Sequence, residues 1–131
     1  MADNDVGGQL RVLVQLCEAE PWDGIWHELE CELQTFDDVG LAPDASDAEV
    51  WRTCQQYDIV LITGNRNAEG RQSLEATIRA ENEQLHLPVL TLADQDRFVR
   101  DRSYAELAVE RMLEILLDIN SFRGTGRLYF P

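Results

Sequence analysis

Apolar positions along the chain fall into short unbroken runs, separated by stretches in which they recur at helical spacing. Leu10-Arg-Val-Leu-Val-Gln-Leu16 is short, rich in β-branched residues and apolar on both sides of its alternation. It therefore predicts a strand buried in a mostly parallel sheet. After Pro21, the residues Trp22, Ile25, Trp26, Leu29 and Leu33 share one face of a predicted helix, whose other face carries Glu28, Glu30 and Glu32. A brief extended piece over residues 34–36 leads into a loop of turn formers over 37–45. Ser46-Asp-Ala-Glu49 has the spacing of a capping box and predicts a helix that carries Val50, Trp51 and Cys54 to about Tyr57. Asp58-Ile-Val-Leu-Ile-Thr63 is the clearest strand, and it runs into a loop over 64–70. A polar helix is expected from about Gln72 to Gln84, then a buried strand Val89-Leu-Thr-Leu-Ala93 with Asp94-Gln-Asp-Arg97 as the strand-to-helix loop. Ser103 and Glu106 suggest a second capping box. The helix after it is apolar around more than half its circumference, from Leu107 and Val109 through Met112, Leu113 and Leu116. The tail Gly124-Thr-Gly-Arg-Leu-Tyr-Phe-Pro131 predicts an edge strand with the proline at its end.

Strands alternating with helices imply an α/β fold. The expected architecture is a central, mostly parallel sheet of roughly four to five strands with helices on both faces and right-handed crossovers. With 131 residues, 44% of them hydrophobic, the chain is long enough for one core. Residues 1–8 read as a disordered N-terminus and 9–131 as a single domain. In such folds ligands collect at the carboxyl ends of the strands. Here those ends are expected to carry Gln15 to Glu18, Thr63 to Asn67 and Ala93 to Asp96.

Charge narrows the function classes. There are 25 acidic against 11 basic residues, a formal −14, and every basic residue is arginine. The absence of lysine excludes a P-loop lysine, a Schiff-base lysine and a polybasic membrane anchor, and an acidic surface repels phosphates. Such a surface also suits an acid-rich housekeeping protein kept soluble by its charge. Cys17, Cys31 and Cys54 are odd in number and lack CxxC spacing, so reduced, mostly buried thiols are expected rather than a disulfide scaffold or a zinc ribbon. His27 and Cys31, four apart on the predicted helix, form a ligand pair with no second pair to complete a site. No stretch is long enough to span a membrane and the N-terminus lacks the regions of a signal peptide, which implies a cytoplasmic protein with no membrane contact.

The candidate chemistry lies in oxygen donors from separate loops. Asp47 and Glu49 stand at a helix start, Asn65 and Asn67 after the central strand, and Asp94 and Asp96 after the next. Hard divalent cations prefer such ligands, and Mg²⁺ or Mn²⁺ held there would support in-line phosphoryl displacement. The same residues also serve as helix starters and turn formers. Arg66 and Arg71 flank the asparagine loop as candidate contacts to a substrate phosphate. Arg97, Arg100 and Arg102 either extend that rim or pair with Asp94, Asp96, Asp101 and Glu69 on a solvated face.

Five passages together resemble a family of short PIN-like proteins common in cyanobacteria. They are Thr35-Phe-Asp-Asp-Val-Gly-Leu41, Ser46-Asp-Ala-Glu-Val-Trp51, Asp58-Ile-Val-Leu-Ile-Thr-Gly-Asn-Arg-Asn67, Ser73-Leu-Glu-Ala-Thr-Ile-Arg79 and the tail from Gly124 to Pro131. Some chains of that type carry an acyl-carrier-protein malonyltransferase label, but this sequence has no Gly-x-Ser-x-Gly nucleophile elbow. The resemblance implies a PIN-like sheet and an acidic site for Mg²⁺ or Mn²⁺ that cleaves RNA. It assigns the helix-start acid to Asp47 and the acid after the central strand to Asn65 or Asn67. The family's opening acid would stand near Gln15, where no aspartate is present and Glu18 and Asp23 are the nearest candidates. Many such proteins are toxins, which implies an antitoxin-like protein partner beside RNA. With carboxylates missing from the pattern, the alternative is a non-catalytic PIN-like interaction module or homodimer.

Overall fold

Side-chain alternation along short apolar runs organises the sheet. The computed structural model describes residues 1–64 and 73–131. Ile62–Thr63 (β1) pairs in parallel with Val89–Leu92 (β2), placing Ile62 opposite Leu90. On its other side β2 pairs in parallel with Arg127–Phe130 (β3), from Val89 opposite Arg127 to Leu92 opposite Phe130. Successive residues point to opposite faces. Ile62, Leu90, Leu92 and Phe130 accordingly pack on helices Gly7–Cys17 (α1), Gln95–Arg100 (α5) and Arg102–Leu117 (α6). Leu61 and Val89 pack on Asp47–Gln56 (α3) and Leu74–Glu81 (α4). A further short helix, Asp23–Leu29 (α2), lies over the first layer.

The mixed α/β character and the parallel pairing match expectation, but among the described residues the sheet has three strands, fewer than the roughly four to five that alternation suggested. The missing strand is the run at residues 10–16, which is helical as part of α1. Val6, Leu10, Leu13 and Cys17 recur at helical spacing and are all buried, while Arg11, Val12 and Gln15 face outward. Burial of that stripe outweighs the β-branched residues, whose strand preference depends on context.

The first residues are ordered, in contrast to the expectation for residues 1–8. Met1 is buried, and Ala2 forms a parallel bridge with Ile62. The Ile62 N–H donates to the Met1 carbonyl and the Asp3 N–H to the Ile62 carbonyl, each at 2.8 Å. Their polar composition conceals the pairing that the edge of β1 offers to these backbone groups. A second difference concerns handedness. Both crossovers move the chain the same way across the sheet, yet α4 covers one face and α5 with α6 the other. The two are therefore of opposite hand, and only one follows the usual right-handed rule.

Local signals hold elsewhere, with shifted ends. The α3 cap forms as read, with the Glu49 N–H donating to Ser46 Oγ at 3.2 Å. Ser73 caps α4, which stops at Glu81. At α6 the cap is Asp101, whose Oδ1 accepts from the Ser103 and Tyr104 N–H groups, so Ser103 lies inside the helix. Helix α2 ends at Leu29, leaving Cys31 and Leu33 beyond it and removing the i, i+4 relation between His27 and Cys31. Among the described residues no helix is long and apolar enough to cross a membrane.

Candidate functional site

Parallel pairing brings the carboxyl ends of all three strands to one edge of the sheet. Thr63, fully buried, ends β1 there. Its Oγ1 lies 3.1 Å from Asp3 Oδ2 and 3.4 Å from Asp5 Oδ1, so two carboxylates converge on one hydroxyl. Asp5 Oδ2 also accepts the Gly64 N–H at 3.2 Å. Local structure positions both acids: Asp3 caps the 3-10 turn Asn4–Val6, accepting the Asn4 N–H at 2.8 Å, and Asp5 sits in the first turn of that segment. Burial holds the Asp3 carboxyl above the ordinary range, and the charges of Asp5 and then Asp47 push the same way against the Asn4 and Thr63 hydrogen bonds. A Cβ on Gly64 would lie 1.8 Å from Gln95 Nε2, so a side chain there would oblige Gln95 to swing aside. Gln95, the first residue of α5, thus lies across the end of β1.

The residues singled out from the sequence have these places. Asp47 is half-buried at the start of α3 and its Oδ2 accepts the Leu74 N–H of α4 at 3.2 Å. Glu49 is exposed, and its Oε1 accepts from the Ser46 hydroxyl at 3.3 Å. Asp94 caps α5, accepting the Arg97 N–H at 2.9 Å, while its own N–H donates to Tyr104 Oη at 3.0 Å. Asp96 is exposed in the first turn of α5. Asn65, Arg66, Asn67 and Arg71 lie outside the described residues. Among the described residues no group of three or more histidine, cysteine, aspartate or glutamate side chains could hold a metal ion.

After β2, Arg97 pairs with Asp101, one of the partners expected on a solvated face, and Arg102 pairs with Glu106, each at 3.3 Å. Tyr104, whose hydroxyl donates to the Pro131 carbonyl, also carries the Arg97 guanidinium 4.8 Å from its ring centroid. Cys17 and Cys54 are buried, and burial pushes both thiols up to about 12. Cys31 is exposed, so two of the three thiols are buried, in keeping with the mostly buried thiols expected.

Asp3 and Asp5 escaped sequence reading because their segment looked disordered. A signal was present: turn formers Asp3-Asn4-Asp5 directly precede the helical spacing Val6, Leu10, Leu13, Cys17. The raised Asp3 pKa has a consequence for stability. Protonated Asp3 favours the fold, so this contribution is complete below the ordinary value of 3.8 and is lost as pH rises through the higher folded value. Asp3→Asn, which cannot ionise, should therefore melt higher than the parent at pH 7, by a margin that shrinks on acidification. Thermal melts of both proteins across that range check this, and a margin independent of pH would contradict it.

Comparison with protein-family models, with curated proteins and with solved structures gives no match for this chain.

Proposed function

We propose that the chain is a PIN-like, Mg²⁺- or Mn²⁺-dependent ribonuclease whose acidic site is centred on Asp3 and Asp5, with Asp47 beside them. One observation carries the reading: the carboxylates of Asp3, at the end of the first extended segment, and of Asp5, in the 3-10 turn after it, converge on the hydroxyl that ends β1. The resemblance implies an opening acid at the end of the first strand. With residues 10–16 helical, the first extended segment is residues 1–3, and Asp3 stands at its end. The donor set fits in kind, since carboxylate and hydroxyl oxygens suit hard cations. Asp47 is shared with the fold, its Oδ2 accepting the Leu74 N–H.

A divalent cation bound there would neutralise charge on a phosphoryl oxygen. The chain's own part is to hold two carboxylates together before the cation arrives. The Gly64 N–H fixes Asp5, and the buried Thr63 hydroxyl orients Asp3. Asn65 and Asn67 follow β1 as further candidate donors, with Arg66 and Arg71 as candidate phosphate contacts; Glu49, Asp94 and Asp96 remain more distant candidates. The second reading, a non-catalytic interaction module or homodimer, is favoured by the use of Asp47, Ser46 with Glu49, and Asp94 as helix caps.

Calorimetric titration of the chelator-stripped protein with Mn²⁺ separates the readings. The nuclease reading expects saturable binding that Asp5→Asn abolishes, and Mn²⁺-dependent cleavage of single-stranded RNA lost in the same variant. Absence of heat at two temperatures, with no cleavage, would overturn it and favour the interaction module.

A further inference from the structure

Away from the carboxyl edge, the layer beneath α2 is incompletely filled. A cavity of about 250 Å³ lies between α1, α2, α6 and the segment leading into β1. Val14, Trp26, Ile59, Val60, Met112 and Leu116 form its apolar wall. No residue of α2 is buried. Trp26 stays half-buried, although protein interiors normally close-pack around so large a ring. Trp26 therefore offers aromatic surface to the cavity instead of being sealed into the core.

The charges at the rim favour one class of occupant. Glu32 and Asp58 line the cavity, and among the described residues no arginine or histidine does. Asp58 also pairs with Arg123 at 3.1 Å, whereas the Glu32 carboxylate meets the Gln34 amide at 3.5 Å. The other charge at the wall is the Met1 amino group, which donates to the Val60 carbonyl at 2.9 Å and whose pKa burial lowers. The whole chain adds a field of formal charge −14. An anion would meet like charge, and a neutral molecule would gain only from the apolar wall. An ammonium gains from the Glu32 carboxylate, since Arg123 already holds both Asp58 oxygens, and from the indole ring, which attracts cations through its quadrupole. The Met112 thioether can adapt to an alkyl or aryl body.

We propose that this cavity binds a small organic cation, with its apolar body between α1, α6 and Trp26 and its ammonium at the Glu32 carboxylate on the rim. At this volume the ligand is smaller than a drug-sized molecule. The site stands independently of the metal site proposed at Asp3 and Asp5.

Three probes of equal chain length isolate the charge: n-hexylammonium, n-hexanol and n-hexanoate. Binding is read by calorimetry and by the rate at which iodoacetamide alkylates Cys31, which lines the cavity and is exposed. Cys17 and Cys54 are buried with thiols pushed up to about 12, so the labelling reports on Cys31. Hexylammonium is expected to saturate and to slow alkylation several-fold, hexanol to bind more weakly, and hexanoate not to bind. Glu32→Gln, on the surface and harmless to the fold, should weaken hexylammonium about tenfold and leave hexanol unchanged. Val14→Phe should fill the space and remove both. Failure of hexylammonium to bind, equal binding of hexanoate, or an unaltered affinity in Glu32→Gln would each overturn the proposal.

Discussion

Alanine in place of Trp51 is expected to lower unfolding stability by about 4 kcal/mol, read from guanidinium titration. Trp51 is 2% exposed on α3 and packs with Val50, Cys54, Leu61, Leu74 and Val89 in the layer between α3, α4 and the sheet. Its ring meets His86 edge-on, with centroids 5.1 Å apart. Truncation removes that ring and leaves a large void. The indole Nε1, however, is buried with no hydrogen-bond partner among the described residues. Trp51→Phe removes the unsatisfied N–H and keeps an aromatic ring, so its cost should fall to about 1 kcal/mol. A phenylalanine variant as unstable as the alanine one would mean that the N–H is satisfied in solution.

The second large effect is expected at the ion pair that joins α4 to the sheet. The Arg127 side chain, 8% exposed on β3, donates through Nε to Glu75 Oε2 of α4 at 3.2 Å and through Nη1 to Thr91 Oγ1 of β2 at 2.7 Å. Glu75→Leu deprives a buried guanidinium of this carboxylate. Losing one partner of a fully buried pair costs about 3–5 kcal/mol. Glu75 is 27% exposed, so solvent screens part of the effect, and about 2 kcal/mol is the expectation. Adding Arg127→Met should recover most of the loss, since apolar replacements fill such sites well. A double-mutant cycle measures the coupling, and additive single effects would show that the pair does not clip α4 to the sheet.

These two positions differ in how far the sequence exposes them. Trp51 is legible as core: it follows the Ser46 cap on a helix whose apolar stripe includes Val50 and Cys54, and the structure buries all three. Nothing in the sequence pairs Arg127 with Glu75, which are 52 residues apart and meet only because β3 lies beside β2 under α4. Gln55 is similar. Its amide accepts from the Leu87 N–H and donates to the Leu87 carbonyl, both at 2.9 Å, and no local pattern announces this.

The candidate site divides along the same line. Asp47, Glu49, Asp94 and Asp96 were visible as oxygen donors at strand and helix ends. Their geometry shows Asp47 and Asp94 accepting amides at helix starts and Glu49 accepting the Ser46 hydroxyl, because donors at a helix start compete for the same carboxylates that a cation would use. Asp3 and Asp5 were invisible, since their approach to Thr63 depends on the edge of β1 accepting residues 1–3.

Elements whose signals lie within a few residues could be read directly from the chain: the α3 cap, the buried run of β2, the edge strand β3 and the apolar girth of α6. In each, capping and periodicity are local and agree with the burial the fold supplies. Residues 10–16 resisted because β-branched composition and helical spacing point in opposite directions there, and only packing against α6 breaks the tie. The strand order, the opposite hands of the two crossovers, the convergence of Asp3 with Asp5 and the cavity under α2 likewise depend on which surfaces meet. That is a property of distant segments buried together, which no local stretch of sequence encodes.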